Sequence, residues 1–140
     1  MATPTVKIGG TDLGTTAYIT SWDGILMKPP TRGDLIELDF VAGAVWQQGQ
    51  AGSYEFEIPL VMKSQDPATA VKQATDIQAL CSGAAQAIRR EFYSGTTFVM
   101  QSCSGVINQA IPLQWDLAMR SKVGLVLIVT NLSGTWSTTT

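Results

Sequence analysis

Polar and apolar residues alternate with a period of two along most of this chain, and with the period of a helix only once. The clearest alternation runs from Tyr54 to Lys63. Tyr54, Phe56, Ile58, Leu60 and Met62 fall on one face; Glu55, Glu57, Pro59 and Lys63, with Val61, fall on the other. Such a segment predicts a strand with one face in a core and the other toward solvent or a partner. Pro59 has no backbone donor and predicts an edge strand or a bulge. Leu35 to Val41 alternates in the same way. Val6 to Ile8 predicts a short strand ended by Gly9-Gly10, and Thr15 to Trp22 a strand closed by a turn at Asp23-Gly24. Ile25 to Lys28 extends the pattern until Pro29-Pro30 stops it.

The second half reads similarly. Ala87 to Tyr93 predicts a strand turning at Ser94-Gly95. Thr97 to Ser102 is expected to pair with Gly105 to Ile111 across a turn at Cys103-Ser104-Gly105. Leu113 to Met119 alternates again. Val123 to Asn131 is apolar on both faces, which marks a central strand or one covered by partner chains. The polar end of the chain, residues 135–140, is expected to be flexible.

Between these runs lies one helix. Asp66 is a good N-cap and Pro67 a good first residue. Ala70, Val71, Ala74, Ile77, Leu80, Cys81 and Ala84 recur at helical spacing, and Gly83 offers a C-terminal stop. The stripe is built of small residues and suits close packing on a sheet. Strands in runs, rather than alternating with helices, predict antiparallel pairing. The expectation is a single α+β domain over 1–140: a mostly antiparallel β-sandwich or split barrel with one packed helix.

Two short segments resist that pattern. Residues 42–53, A-G-A-V-W-Q-Q-G-Q-A-G-S, hold three glycines and three glutamines around Trp46. They predict a long loop or a flexible hairpin. Residues 29–35 read P-P-T-R-G-D-L, and Arg32-Gly33-Asp34 matches a cell-adhesion tripeptide. Adhesion needs that tripeptide at an exposed loop tip of a secreted protein. Here an alternating strand begins at once with Leu35, so a turn is expected, with Gly33 supplying a free φ and Asp34 bonding nearby backbone.

Composition narrows the function classes. Only 14% of the 140 residues are charged, so the surface is sparsely charged, which favours contact with other protein. The net charge is −2 and the sole basic cluster is Arg89-Arg90, too little for specific nucleic-acid binding. Histidine is absent, which removes Ser-His and Cys-His nucleophile pairs and the commonest metal ligand. Cys81 and Cys103 are too few for a disulfide framework or a zinc site, and two small buried thiols are expected rather than a bridge. Glu55 and Glu57 lie about 7 Å apart by strand rise, near the separation of glycosidase acids, but acids at i and i+2 on a strand ordinarily form a solvated face. Asp12, Asp23 and Asp34 read as turn formers. Gly9-Gly10 lacks the spacing of a phosphate-binding loop. No catalytic, cofactor or metal residues are therefore expected. The N-terminal M-A-T-P-T-V-K-I-G-G has no signal-peptide pattern, and the longest apolar run, residues 123–129, is far short of the roughly 20 residues of a membrane helix. A soluble product of the cytoplasm, without a membrane anchor, is expected.

The order of elements carries a resemblance. Short N-terminal strands lead to an arginine- and glycine-bearing turn, then a polar strand and a loop. The alternating strand Y-E-F-E-I-P-L-V-M follows, then D-P-A-T-A-V-K-Q-A-T-D-I-Q-A-L as the only helix, then closing strands. Over about residues 5–135 this resembles the N-terminal belt domain of distal tail proteins of long-tailed bacteriophages, and more loosely their tail-tube proteins. Members often carry a turn resembling P-G-R-D-G where this chain has P-P-T-R-G-D-L. The resemblance implies a homohexameric ring in the virion tail, assembled in the host cytoplasm and stacked between the tail tube and the tail-tip or hub proteins. DNA would pass through its lumen without specific binding. Tail tube and terminator subunits are the related alternatives, and a carbohydrate-binding β-sandwich using exposed Trp46 and Trp136 is a further one. For subunit contacts, the candidates are Thr31, Arg32, Gly33 and Asp34 in the turn and Trp46, Gln47, Gln48 and Gln50 in the loop.

Overall fold

The computed structural model describes residues 3–28, 33–37, 42–48, 52–113 and 123–138, with the backbone alone for 33–37 and 45–48. Strands β1 (Thr5–Ile8), β2 (Thr11–Asp12) and β3 (Ala17–Ile19) open the chain, and a 3-10 turn at Leu13–Thr15 separates the last two. Strands β4 (Gly33–Glu37) and β5 (Ala44–Gln48) follow, then β6 (Tyr54–Met62) and helix α1 (Pro67–Gln78). Strands β7 (Gln86–Ser94), β8 (Thr97–Leu113), β9 (Gly124–Asn131) and β10 (Ser137–Thr138) complete the fold.

All described pairings are antiparallel, and the main sheet runs β2-β1-β7-β8-β9-β6-β3, with β10 added to β8. The sheet curls into a half-barrel, and the α+β class read from the sequence holds. Its concave face is the core. Ile58, Leu60, Leu125, Leu127, Val129, Ile88 and Ile107 are fully buried there. The helix closes the concavity through Ala70, Ala74 and Ile77, side chains small enough to let its axis approach the sheet. Its start is as expected: the Asp66 carboxylate accepts from Thr69 N at 3.3 Å and Thr69 Oγ1 at 2.6 Å. It ends earlier than expected, at Gln78, and Gly83 takes its positive φ of 77° in the turn beyond.

The largest departure is β8. The turn expected at Cys103-Ser104-Gly105 does not exist, and Thr97–Leu113 is one 17-residue strand. Its first half pairs with β7, from Thr97↔Ser94 to Gly105↔Gln86. Its second half pairs with β9, from Gly105↔Asn131 to Leu113↔Gly124, with a bulge at Asn108. Gly105 sits at the hand-over. A Cβ there would come within 2.5 Å of Ile88 Cδ1 and 2.9 Å of the Thr130 carbonyl oxygen. Glycine is required by close approach, not by a turn.

Other boundaries also move. The strand expected at Thr15 to Trp22 is reduced to Ala17–Ile19, because Leu13–Thr15 form the 3-10 turn and the chain leaves the sheet after Thr20 donates to the Pro59 carbonyl. Residues 21–28 are not a strand continuing to Pro29-Pro30. They form a strap along β6, with Ile25 buried in the core and Gly24 against the Glu57 backbone. Pro59 marks neither an outer strand nor a bulge, since β6 lies between β9 and β3. The same Thr20 bond shows that its missing donor points away from β9, just where β3 ends, so the β6–β9 ladder is intact. β9 is central, as its two apolar faces allow. The chain end is held rather than frayed as far as Thr138: Ser137 and Thr138 pair with Ser102 and Gln101. The strand expected over Leu113 to Met119 lies, after Leu113, outside the described residues.

Candidate functional site

Five of the eight candidate contact residues, Gly33, Asp34, Trp46, Gln47 and Gln48, lie on one hairpin. β4 and β5 form a two-stranded sheet of their own, with Gly33 opposite Gln48, Asp34 opposite Gln47 and Leu35 opposite Trp46. The expected turn at Arg32-Gly33-Asp34 is corrected in part, because Gly33 and Asp34 are extended and belong to β4. They have backbone partners on β5, which a turn would lack. Thr31, Arg32 and Gln50 lie outside the described residues. Residues 42–53 form neither a loop throughout nor a hairpin of their own: Ala44–Gln48 are β5, one strand of a hairpin whose other strand is β4, and Gly43, at φ 108°, immediately precedes it. Register sets Leu35 against Trp46 and Ile36 against Val45, so apolar residues occupy positions on both faces of a ribbon only two strands wide.

Inside the half-barrel lies a second constellation, centred on Arg90, that no local pattern of residues announces. This side chain is 9% exposed, and among the described residues no carboxylate pairs with it. Its Nε and Nη2 donate to Gln101 Oε1 at 2.8 and 2.6 Å, and Nη1 donates to the Ile25 carbonyl at 2.5 Å. The guanidinium lies 4.1 Å from the Trp136 ring centroid and 5.5 Å from that of Phe92. Trp136 Nε1 donates to the Tyr54 hydroxyl at 2.7 Å, and its ring packs on Phe56. Trp136, expected to be exposed, is therefore docked. Burial pulls the Arg90 guanidinium below its ordinary value, opposed by Tyr54 and Cys103. The Cys103 thiol is pushed up to about 11 by burial, with Arg90 acting against the shift. Arg90 thus ties the strap, through Ile25, to β8 and the chain end. The preceding arginine could have been chosen with equal reason from the sequence; Arg89 falls on the opposite face.

The two cysteines are free, Cys103 buried and Cys81 donating to the Ile107 carbonyl at 3.2 Å. A cleft of about 380 Å³ lies between Thr11, Asp12, Thr15 and Thr16 on one wall and Gln73, Asp76, Ile77 and Leu80 of the helix on the other. Asp12 is occupied as a cap, accepting from Thr5 Oγ1 and Gly14 N, and Asp76 pairs with Lys72. Glu55 and Glu57 are exposed on the convex face of β6, and Glu55 accepts from Asn108 Nδ2 at 3.2 Å. Among the described residues no cluster of three or more Cys, His, Asp or Glu side chains could hold a metal ion. None of their helices is long and apolar enough to cross a membrane. No protein-family model matches the sequence, and no curated protein matches it significantly.

Proposed function

We propose that this chain is a non-catalytic, ring-forming structural protein of a bacteriophage tail, a distal tail component seated between tube and tip. The observation that carries the proposal is the β4–β5 ribbon. A two-stranded hairpin is marginal alone in water, and this one has apolar residues at positions on both faces and, among the described residues, pairs with no third strand. A neighbouring subunit that packs on the ribbon or extends it would supply the missing cover, and a closed ring repeats that contact without leaving unpaired edges. The order of elements and the sparse charge agree with it. Tube and terminator subunits share these features and differ in which neighbours they meet. The sugar-binding alternative is weakened because Trp136 is half-buried, with its ring engaged by Arg90 and its Nε1 by Tyr54.

Light scattering on the purified protein, followed by negative-stain imaging, tests the proposal. Rings of about six chains with a central hole are expected for such closed assemblies. Trp46→Ala should break the rings and leave a folded monomer by circular dichroism. A W46A protein that unfolds places Trp46 in the core and refutes its role as a contact.

A further inference from the structure

No further inference is drawn: the strongest candidate, the cleft of about 380 Å³ between the Thr11–Thr16 segment and helix α1, carries none, because its carboxylates Asp12 and Asp76 already have partners and the orphaned Gln73 Oε1 beside it is closed to solvent, so nothing in the structure shows what would occupy it.

Discussion

Gly105→Ala should destabilise the protein, although Gly105 lies in a strand and shows no positive φ, so its backbone conformation is open to alanine. Two contacts oppose the new methyl group. One is Ile88 Cδ1 at 2.5 Å, on a side chain that is fully buried and has little room to turn. The other is the Thr130 carbonyl oxygen at 2.9 Å, which is backbone of β9 and moves only with its strand. Overpacking of this kind costs about 1–3 kcal/mol. Restricting the unfolded chain by replacing glycine returns about 0.4–1 kcal/mol. The net loss is then about 1–2 kcal/mol, read as a lower urea midpoint at unchanged m-value. Ile88→Val deletes the Cδ1 atom and alone costs about 1 kcal/mol. In the double variant the first clash is gone, so the combined loss should fall short of the sum by about 1 kcal/mol. A neutral or stabilising G105A, or strict additivity with I88V, would refute the view that close packing fixes this glycine.

Three further outcomes are expected. Arg90→Met leaves Gln101 Oε1 and the Ile25 carbonyl without their donor and removes the stack on Trp136; it should cost about 1–3 kcal/mol, shift tryptophan emission and expose the strap to chymotrypsin at Trp22, and an unchanged digestion pattern would count against the tie. The Cys103 thiol, raised from 9.0 to about 11, should resist a disulfide exchange reagent at pH 8 in the native protein; its stabilising effect is complete below pH 9.0 and is lost as pH rises toward 11, so Cys103→Ala should flatten that alkaline decline in stability. The Asp66 carboxyl is held below 3.8 by its bonds from the Thr69 hydroxyl and backbone, so its contribution is full above 3.8 and disappears as pH falls through the lower folded value; Asp66→Asn keeps a cap and should reduce the acid sensitivity of helix content, which circular dichroism reads directly.

The elements legible in the sequence were those whose evidence is local. The period-two pattern of Tyr54 to Met62 and the Asp66-Pro67 start of the helix each depend on a few neighbouring residues, and both stand. β8 was misread because Ser104-Gly105 has the composition of a turn, whereas the need for glycine comes from Ile88 and Thr130, 17 and 25 positions away. Trp136 was misread for a related reason. Its neighbours in sequence are serine, glycine and threonine, while its neighbours in space are Arg90, Phe56 and Tyr54. Composition reports the first environment and only the fold creates the second. The hairpin was half legible: Gly43 and the glutamines announced an interruption, but pairing of Leu35 with Trp46 needs a register that composition does not set.

The treatment of sheet edges points in one direction. The outermost strands of the main sheet are short, β2 with two residues and β3 with three, and short edges recruit strands poorly. Among the described residues, no strand pairs with the second half of β8 on the side away from β9. There the helix end covers it, with Gln78 Nε2 reaching the Ala110 carbonyl and Cys81 that of Ile107. Pro112, two residues past Ala110, offers no donor on that same side. On β6, beyond the end of β3, the strap and Pro59 do the equivalent work. A chain that protects the long edges of its main sheet and yet sets five-residue strands in a separate ribbon directs strand pairing toward that ribbon. A partner should therefore meet β4 or β5 first, and proline placed on the outward side of either strand should block assembly more strongly than proline in β3.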